Sequence, residues 1–255
     1  MQRFGETLFS AYFLSSLVVL GLLLAPVMLF GRARAQAVAQ FWSRSVLFML
    51  RLLTGVRHEV IGEQNIPQSG ALVAANHQSA WETLALYAIL PKPVAILKKE
   101  LLRIPIFGWW VKAVGSIAVD REGGAKALRA MQRDALSNIQ EGRQVIVFPE
   151  GTRTPPGYRQ PFQPGVAAIY KAIDAPCTPV AHDSGRFWQH PGGRKNKGKI
   201  TMRILAPIKP GLDRKSFLRL LENTINGARP DLCTSGNKQP GADLTPDILA
   251  YDDRP

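Results

Sequence analysis

Short apolar runs bounded by Gly, Pro, Asn and Asp alternate with stretches of helical periodicity along most of this chain. Residues 71–75, Ala-Leu-Val-Ala-Ala, are apolar without a break, which suits a strand covered on both faces of a sheet. Further strands are read at 56–61, 94–97, 116–119, 144–148, 177–181 and 200–205. The spacing predicts helices between them. One opens near Ser79, and one over 124–141 carries Leu128, Met131, Ala135 and Ile139 on one face with Gly142 as its stop. Two more are expected over 165–172 and 213–226. Strand and helix in alternation argue for an α/β fold, a mixed, largely parallel sheet with helices on both faces. Residues 104–110 are apolar and aromatic, and suit either core packing or contact with lipid.

The N-terminal pattern differs. Residues 13–30 carry no charge, and as a helix they would extend about 27 Å, close to a hydrocarbon core of about 30 Å. Ala33-Arg34-Ala35 resembles a signal-peptide cleavage site, but the run is long for a signal and Arg32 and Arg34 follow it directly. Arg32, Arg34, Arg44 and Arg51 outnumber Arg3 on the other side, which places the rest of the chain in the cytosol. Residues 36–54 read as a second helix, with Val38, Phe41, Trp42, Leu47, Phe48, Leu50 and Leu53 apolar and Gln40, Arg44 and Arg51 opposite them. That pattern suits a membrane interface or a helix packed on a core. The organisation expected is therefore membrane-anchoring helices over 1–54, an α/β domain over 55–228, and a polar, weakly ordered tail over 229–255.

A net charge of +13 favours anionic partners such as phospholipid headgroups, phosphorylated substrates or an acidic carrier protein. Nucleic acid is not expected, because no zinc spacing, helix-turn-helix signature or interleaved aromatic-basic run is present. Cys177 and Cys233 form no CxxC pattern and no disulfide framework, which fits a reducing compartment.

His77 stands just past the strand at 71–75, where ligand sites form in such sheets. Glu82 follows five residues on. Within one helix the two would point about 140° apart, so they meet only if His77 lies in the turn and Glu82 in the first helical turn. Ser79-x-x-Glu82 is also a capping-box pattern, which gives Glu82 a second reading as a helix cap and Ser79 the N-cap.

The stretch Asn76-His77-Gln78-Ser79-Ala80-Trp81-Glu82 resembles the His-x-x-x-x-Asp motif of the glycerolipid acyltransferases, specifically the 1-acyl-sn-glycerol-3-phosphate acyltransferase family, with Glu82 where Asp is usual. Three blocks match in order: Ala118-Val119-Asp120-Arg121, Phe148-Pro149-Glu150-Gly151-Thr152-Arg153 and Thr178-Pro179-Val180-Ala181. The resemblance covers roughly residues 45–225. It implies acylation of the sn-2 hydroxyl of 1-acyl-glycerol-3-phosphate to phosphatidic acid, in phospholipid biosynthesis. The donor would be acyl-CoA or acyl-acyl carrier protein, with no metal and no cofactor. His77 would be the base and Glu82 its orienting partner, with direct attack on the thioester and no acyl-enzyme. Arg121 and Arg153 are candidates for the acceptor's phosphate, because guanidinium matches phosphate bidentately. Backbone N–H groups of Gly151 and Thr152 would add donors, Glu150 would belong to the acceptor site, and Lys98 and Lys99 are further candidates. The resemblance also implies a helical hairpin in one leaflet, with a single spanning helix as the alternative that the sequence leaves open; the expected location is a bacterial-type inner membrane, with the catalytic domain on the cytoplasmic face. Another lysolipid acceptor, such as lyso-ornithine lipid, and a non-catalytic lipid-binding scaffold are the alternatives. His182-Asp183-Ser184 is not read as a triad, since adjacent residues rarely converge on one atom.

Overall fold

The protein is described by a computed structural model covering residues 2–120, 122–190 and 193–233. Its elements in chain order are α1 (Gln2–Leu23), α2 (Arg32–Thr54), β1 (Val56–Ile61), β2 (Ala71–Ala75), α3 (Trp81–Ile89), β3 (Pro93–Lys98), α4 (Phe107–Ala113) and β4 (Ile117–Val119). Then follow α5 (Gly124–Gln140), β5 (Gln144–Val147), α6 (Pro164–Ile173), β6 (Cys177–His182), β7 (Gly198–Ile204), α7 (Arg214–Ala228) and α8 (Pro230–Cys233). The strands form one sheet in the order β1-β7-β6-β2-β5-β3-β4. Every described pairing is parallel except β6 with β7, so the mixed, largely parallel sheet forms as expected.

The uninterrupted apolar run of β2 is explained by cover on both sides. Leu72 and Ala74 face a layer containing Ala135 and Ile139 of α5, Val166 and Ile169 of α6, and Phe217, Leu221 and Ile225 of α7. Val73 and Ala75 face Phe9 of α1, Val46 and Leu50 of α2, and Trp81 and Leu84 of α3. Alternate residues of a strand point to opposite faces, so each face needs its own apolar set.

The N-terminus departs from the expected helix over 13–30. The helix starts at Gln2 and stops at Leu23, and a short 3-10 turn, Ala25–Phe30, follows it. Pro26 explains the stop: it has no N–H for the helical ladder, and its ring clashes with the preceding turn. Gly31, at φ 95°, then lets the chain reverse into α2. Gly5 of α1 lies against α2 so closely that a Cβ there would sit 2.1 Å from the Leu53 carbonyl oxygen. Farther along, Trp42 Nε1 donates to Ser16 Oγ at 3.0 Å. The result is a helical hairpin.

One side of this hairpin belongs to the domain. Phe9 is fully buried, with Trp188 edge-on at 5.3 Å. Lys195 Nζ lies 5.0 Å from the Phe9 ring and 5.2 Å from the Trp188 ring, and donates to Ser10 Oγ at 3.2 Å. The polar residues of α2 also have a use. Gln36, Gln40 and Arg44 donate to the carbonyls of Pro91, Leu90 and Ala88, at the carboxyl end of α3. The other side stays apolar and exposed: Phe4, Leu8, Leu14, Val18, Val19 and Leu22 on α1, with Phe41, Phe48 and Leu52 on α2. Residues 104–110 divide in the same way. Trp110 is buried and donates to the Gly21 carbonyl at 3.0 Å, whereas Ile104 and Trp109 are exposed.

Residues 229–233, assigned above to the weakly ordered tail, are packed instead: Arg229 and Asp231 are buried, and Pro230–Cys233 is helical. Residues 234–255 lie outside the described residues.

Candidate active site

Because β2, β3, β4, β5 and β6 run in one direction, their carboxyl ends share one edge of the sheet. His77 follows β2, Glu150 follows β5, Lys98 ends β3 and His182 ends β6. Arg121 follows β4 and lies outside the described residues.

His77 occupies the turn and Glu82 the first turn of α3, and His77 Nδ1 is 2.7 Å from Glu82 Oε1. The same oxygen accepts from the backbone N–H groups of Gln78 and Ser79, both at 2.8 Å. Cap and histidine partner are therefore one arrangement. The other oxygen, Oε2, accepts from Ser79 Oγ at 2.9 Å and Ser184 Oγ at 2.7 Å. Ser79 is not the N-cap; Ala80 holds that position, and Ser79 Oγ accepts from the Trp81 N–H at 3.0 Å. Burial alone would push the Glu82 carboxyl up. The imidazoles of His182 and His77 and the Ser79 amide overcome that, and hold it far below the usual carboxylate range. An ionised Glu82 only accepts, so Nδ1 is the His77 nitrogen that carries a proton toward it, and in the neutral ring Nε2 is the one with the lone pair. The His77 ring stacks on Phe148, with centroids 4.1 Å apart and planes at 18°.

The loop after β5 grips the His77 backbone from both sides. The His77 N–H donates to Glu150 Oε2, and the Thr154 N–H donates to the His77 carbonyl, each at 2.8 Å. Glu150 thus turns inward, 1% exposed, rather than toward a substrate. Burial pushes its carboxyl up to about 8 against the opposing charge of Arg229. The Gly151 N–H donates to the Phe148 carbonyl at 3.0 Å, so that donor is occupied within the loop. Thr152 and Arg153 are half-buried. Arg153 Nη1 lies 3.3 Å from His190 Nδ1, and its buried Nε has no hydrogen-bond partner. Lys98 stands two strands from β2, about 10 Å away across the sheet. Lys99 donates to Asp120 Oδ2 at 2.6 Å, a bond that raises its pKa.

The sequence reading missed the supports. Asn76 and His182 exchange backbone and side-chain hydrogen bonds at 2.9 and 3.0 Å, and His182 Nε2 meets the Asn76 carbonyl at 2.6 Å. Burial lowers the pKa of His182 against the pull of the Glu82 carboxylate, and its Nδ1 lies 3.3 Å from the Ser184 N–H. Asp183 accepts from the Thr201 N–H at 2.9 Å. His182, Asp183 and Ser184 are thus bracing rather than a triad. Among the described residues, no group of three or more His, Cys, Asp or Glu is placed to hold a metal ion.

A family model described as Acyltransferase matches residues 57–183. The chain is 35% identical over 210 residues to a 1-acyl-sn-glycerol-3-phosphate acyltransferase of Pseudomonas aeruginosa, covering 81% of each. It is 32% identical over 168 residues to the 1-acyl-sn-glycerol-3-phosphate acyltransferase alpha of Bos taurus, covering 65% of this chain and 58% of that one. In fold it is similar to the crystal structure of the 1-acyl-sn-glycerophosphate acyltransferase from Thermotoga maritima. The TM-score is 0.74 at 24% identity, with 93% of this chain and 100% of the other covered.

Proposed function

The chain belongs to the 1-acyl-sn-glycerol-3-phosphate acyltransferase family, and from that premise we propose how its residues carry the reaction. The enzyme transfers a fatty acyl group to the sn-2 hydroxyl of 1-acyl-sn-glycerol-3-phosphate, giving phosphatidic acid. The donor is an acyl thioester of coenzyme A or of acyl carrier protein. The observation that carries the assignment of roles is the 2.7 Å contact between His77 Nδ1 and the buried Glu82. It leaves Nε2 to take the hydroxyl proton as the oxygen attacks the thioester carbonyl carbon. The tetrahedral adduct then collapses, the C–S bond breaks, and the thiolate leaves with the proton held by His77. Glu82 stabilises the imidazolium between these steps. Direct transfer is supported by the state of Ser79 and Ser184: both hydroxyls are buried and committed to Glu82.

Arg153 is proposed to bind the acceptor's phosphate. Its Arg153→Ala variant should raise the KM for lysophosphatidic acid about 10–150-fold, the equivalent of about 1.5–3 kcal/mol in charge-assisted hydrogen bonds. On 1-monoacylglycerol, which lacks phosphate, the change should be far smaller. Purified enzyme assayed with both acceptors and both donors supplies the test. Equal losses on the two acceptors, or no acylation of lysophosphatidic acid by the parent, would defeat the assignment.

The protein associates with membranes: α1 is 22 residues long and apolar enough to cross one. We place the hairpin within one leaflet of the inner membrane, with the α/β domain on the cytoplasmic side. The burial of Phe9 against Trp188 supports this, because a crossing helix would leave the domain behind. Deleting 1–54 is no clean test, since it strips Phe9, Val46 and Leu50 from the core. Leu14, Val18 and Leu22 share one exposed face of α1, and changing all three to Glu should move the protein from the membrane pellet to the supernatant. Its unfolding midpoint should change little. A folded triple variant that still pelleted with membranes would refute the placement.

A further inference from the structure

Just past α7 the chain turns inward, and Arg229, which is 0% exposed, lies beneath the active-site loops. Its Nη2 and Nε meet the Asp231 carboxylate at 2.7 and 3.2 Å, and its Nη1 lies 3.5 Å from Glu150 Oε1. Asp231, 2% exposed, uses Oδ2 to accept also from Gln78 Nε2 at 2.9 Å and from the Gly157 N–H at 2.8 Å. Gln78 in turn accepts from the Gly185 N–H at 3.1 Å.

These bonds converge on His77. Its own N–H is held by Glu150, and the next N–H, that of Gln78, by Glu82. Arg229 sits behind the carboxyl group of Glu150, and Asp231 grips the side chain of Gln78, which supplies the second donor. Asp231 also holds Gly157, in the loop that carries Arg153, while Gln78 reaches the turn after β6 that carries Ser184. One buried ion pair thus spans the loops after β2, β5 and β6. A buried carboxylate and guanidinium in this number of bonds are costly to misplace, because each alternative leaves a charge unpaired.

We propose that Arg229 and Asp231 are positioning residues for acyl transfer, acting through Gln78 and Glu150 to hold the base, His77, at a set distance from the acceptor loop that carries Arg153. The inference rests on the reading of His77 as the base. A group that sets geometry governs kcat, because a small displacement of a base costs rate more than it costs ground-state binding.

The test measures kcat, the KM for both substrates and the unfolding midpoint in Asp231→Asn and Gln78→Met, with His77→Ala alongside. Gln78→Met leaves the Arg229–Asp231 pair and the Gly157 bond in place, so it serves if Asp231→Asn does not fold. Assayed well below their midpoints, the folded variants should lose about 10–100-fold in kcat, with both KM values within about twofold of the parent. A lowered midpoint with parental kcat would make the pair merely structural and overturn the inference alone, provided His77→Ala is impaired. Parental kcat in His77→Ala would overturn the base reading, and this inference with it.

Discussion

Replacing His77 with alanine is expected to lower kcat by about two to four orders of magnitude, the usual worth of a positioned base, while leaving the protein folded. The reason for the second half is local. Removing the ring takes one donor from Glu82, but four remain: the N–H groups of Gln78 and Ser79 and the hydroxyls of Ser79 and Ser184. The backbone of His77 stays held by Glu150 and Thr154. The stack on Phe148 is lost, but the ring is at the rim, with its side chain 16% exposed. The loss of stability should therefore fall in the range of about 1–2 kcal/mol, or a few degrees in Tm. Steady-state kinetics with thermal unfolding checks both halves. A folded His77→Ala enzyme retaining more than a tenth of the parental kcat would exclude His77 as the base.

Glu82→Gln is expected to cost about a hundredfold or more in kcat at nearly unchanged stability. The two carboxylate oxygens of Glu82 differ in what surrounds them. Oε1 faces three N–H donors, which an amide oxygen satisfies as well as a carboxylate does. Oε2 faces two serine hydroxyls, which can rotate and accept from an amide NH2. Gln thus fits the site in a single orientation with its bonds retained, and what it lacks is charge. The imidazolium formed at His77 then has no anion beside it, and the rate falls. Adding His77→Ala to this variant should do little more than His77→Ala alone, since the two groups act as a unit. Glu82→Ala is the contrast: it leaves five donors unsatisfied, most of them buried, and should destabilise the fold severely. Parental kcat in a folded Glu82→Gln protein would leave Glu82 as a helix cap and nothing more.

The His77–Glu82 unit was legible because everything that makes it is local. An apolar run, a polar turn and an acidic residue at the start of an apolar helix lie within residues 71–90. The inward turn of Glu150 was not legible, because it follows from β5 lying beside β2, and sequence order alone does not state that adjacency. Ser184 is the same case through β6, whose loop is 102 residues from Glu82 in the chain. Arg229 and Asp231 were hidden by composition: they stand at the head of a polar segment rich in Pro, Gly and Asp, where two buried charges are not expected. The first helix was misplaced for a similar reason. Arg3 and Glu6 made its opening turns look like a flank, although Pro26 marked its end plainly.

The clasp of Lys195 on Phe9 and Ser10 sets an order of events in time. Ser10 and Lys195 are 185 residues apart, and at about 5–20 residues per second a ribosome needs about 10–40 s to make the interval. Through most of that interval the apolar hairpin has neither Trp188 nor Lys195 to dock on, and β1 waits a shorter stretch, from Val56 to its partner Gly198, for β7. Lipid is the apolar surface at hand. On the proposed placement in one leaflet, the hairpin is expected to reach the bilayer before the sheet that covers its inner face is complete.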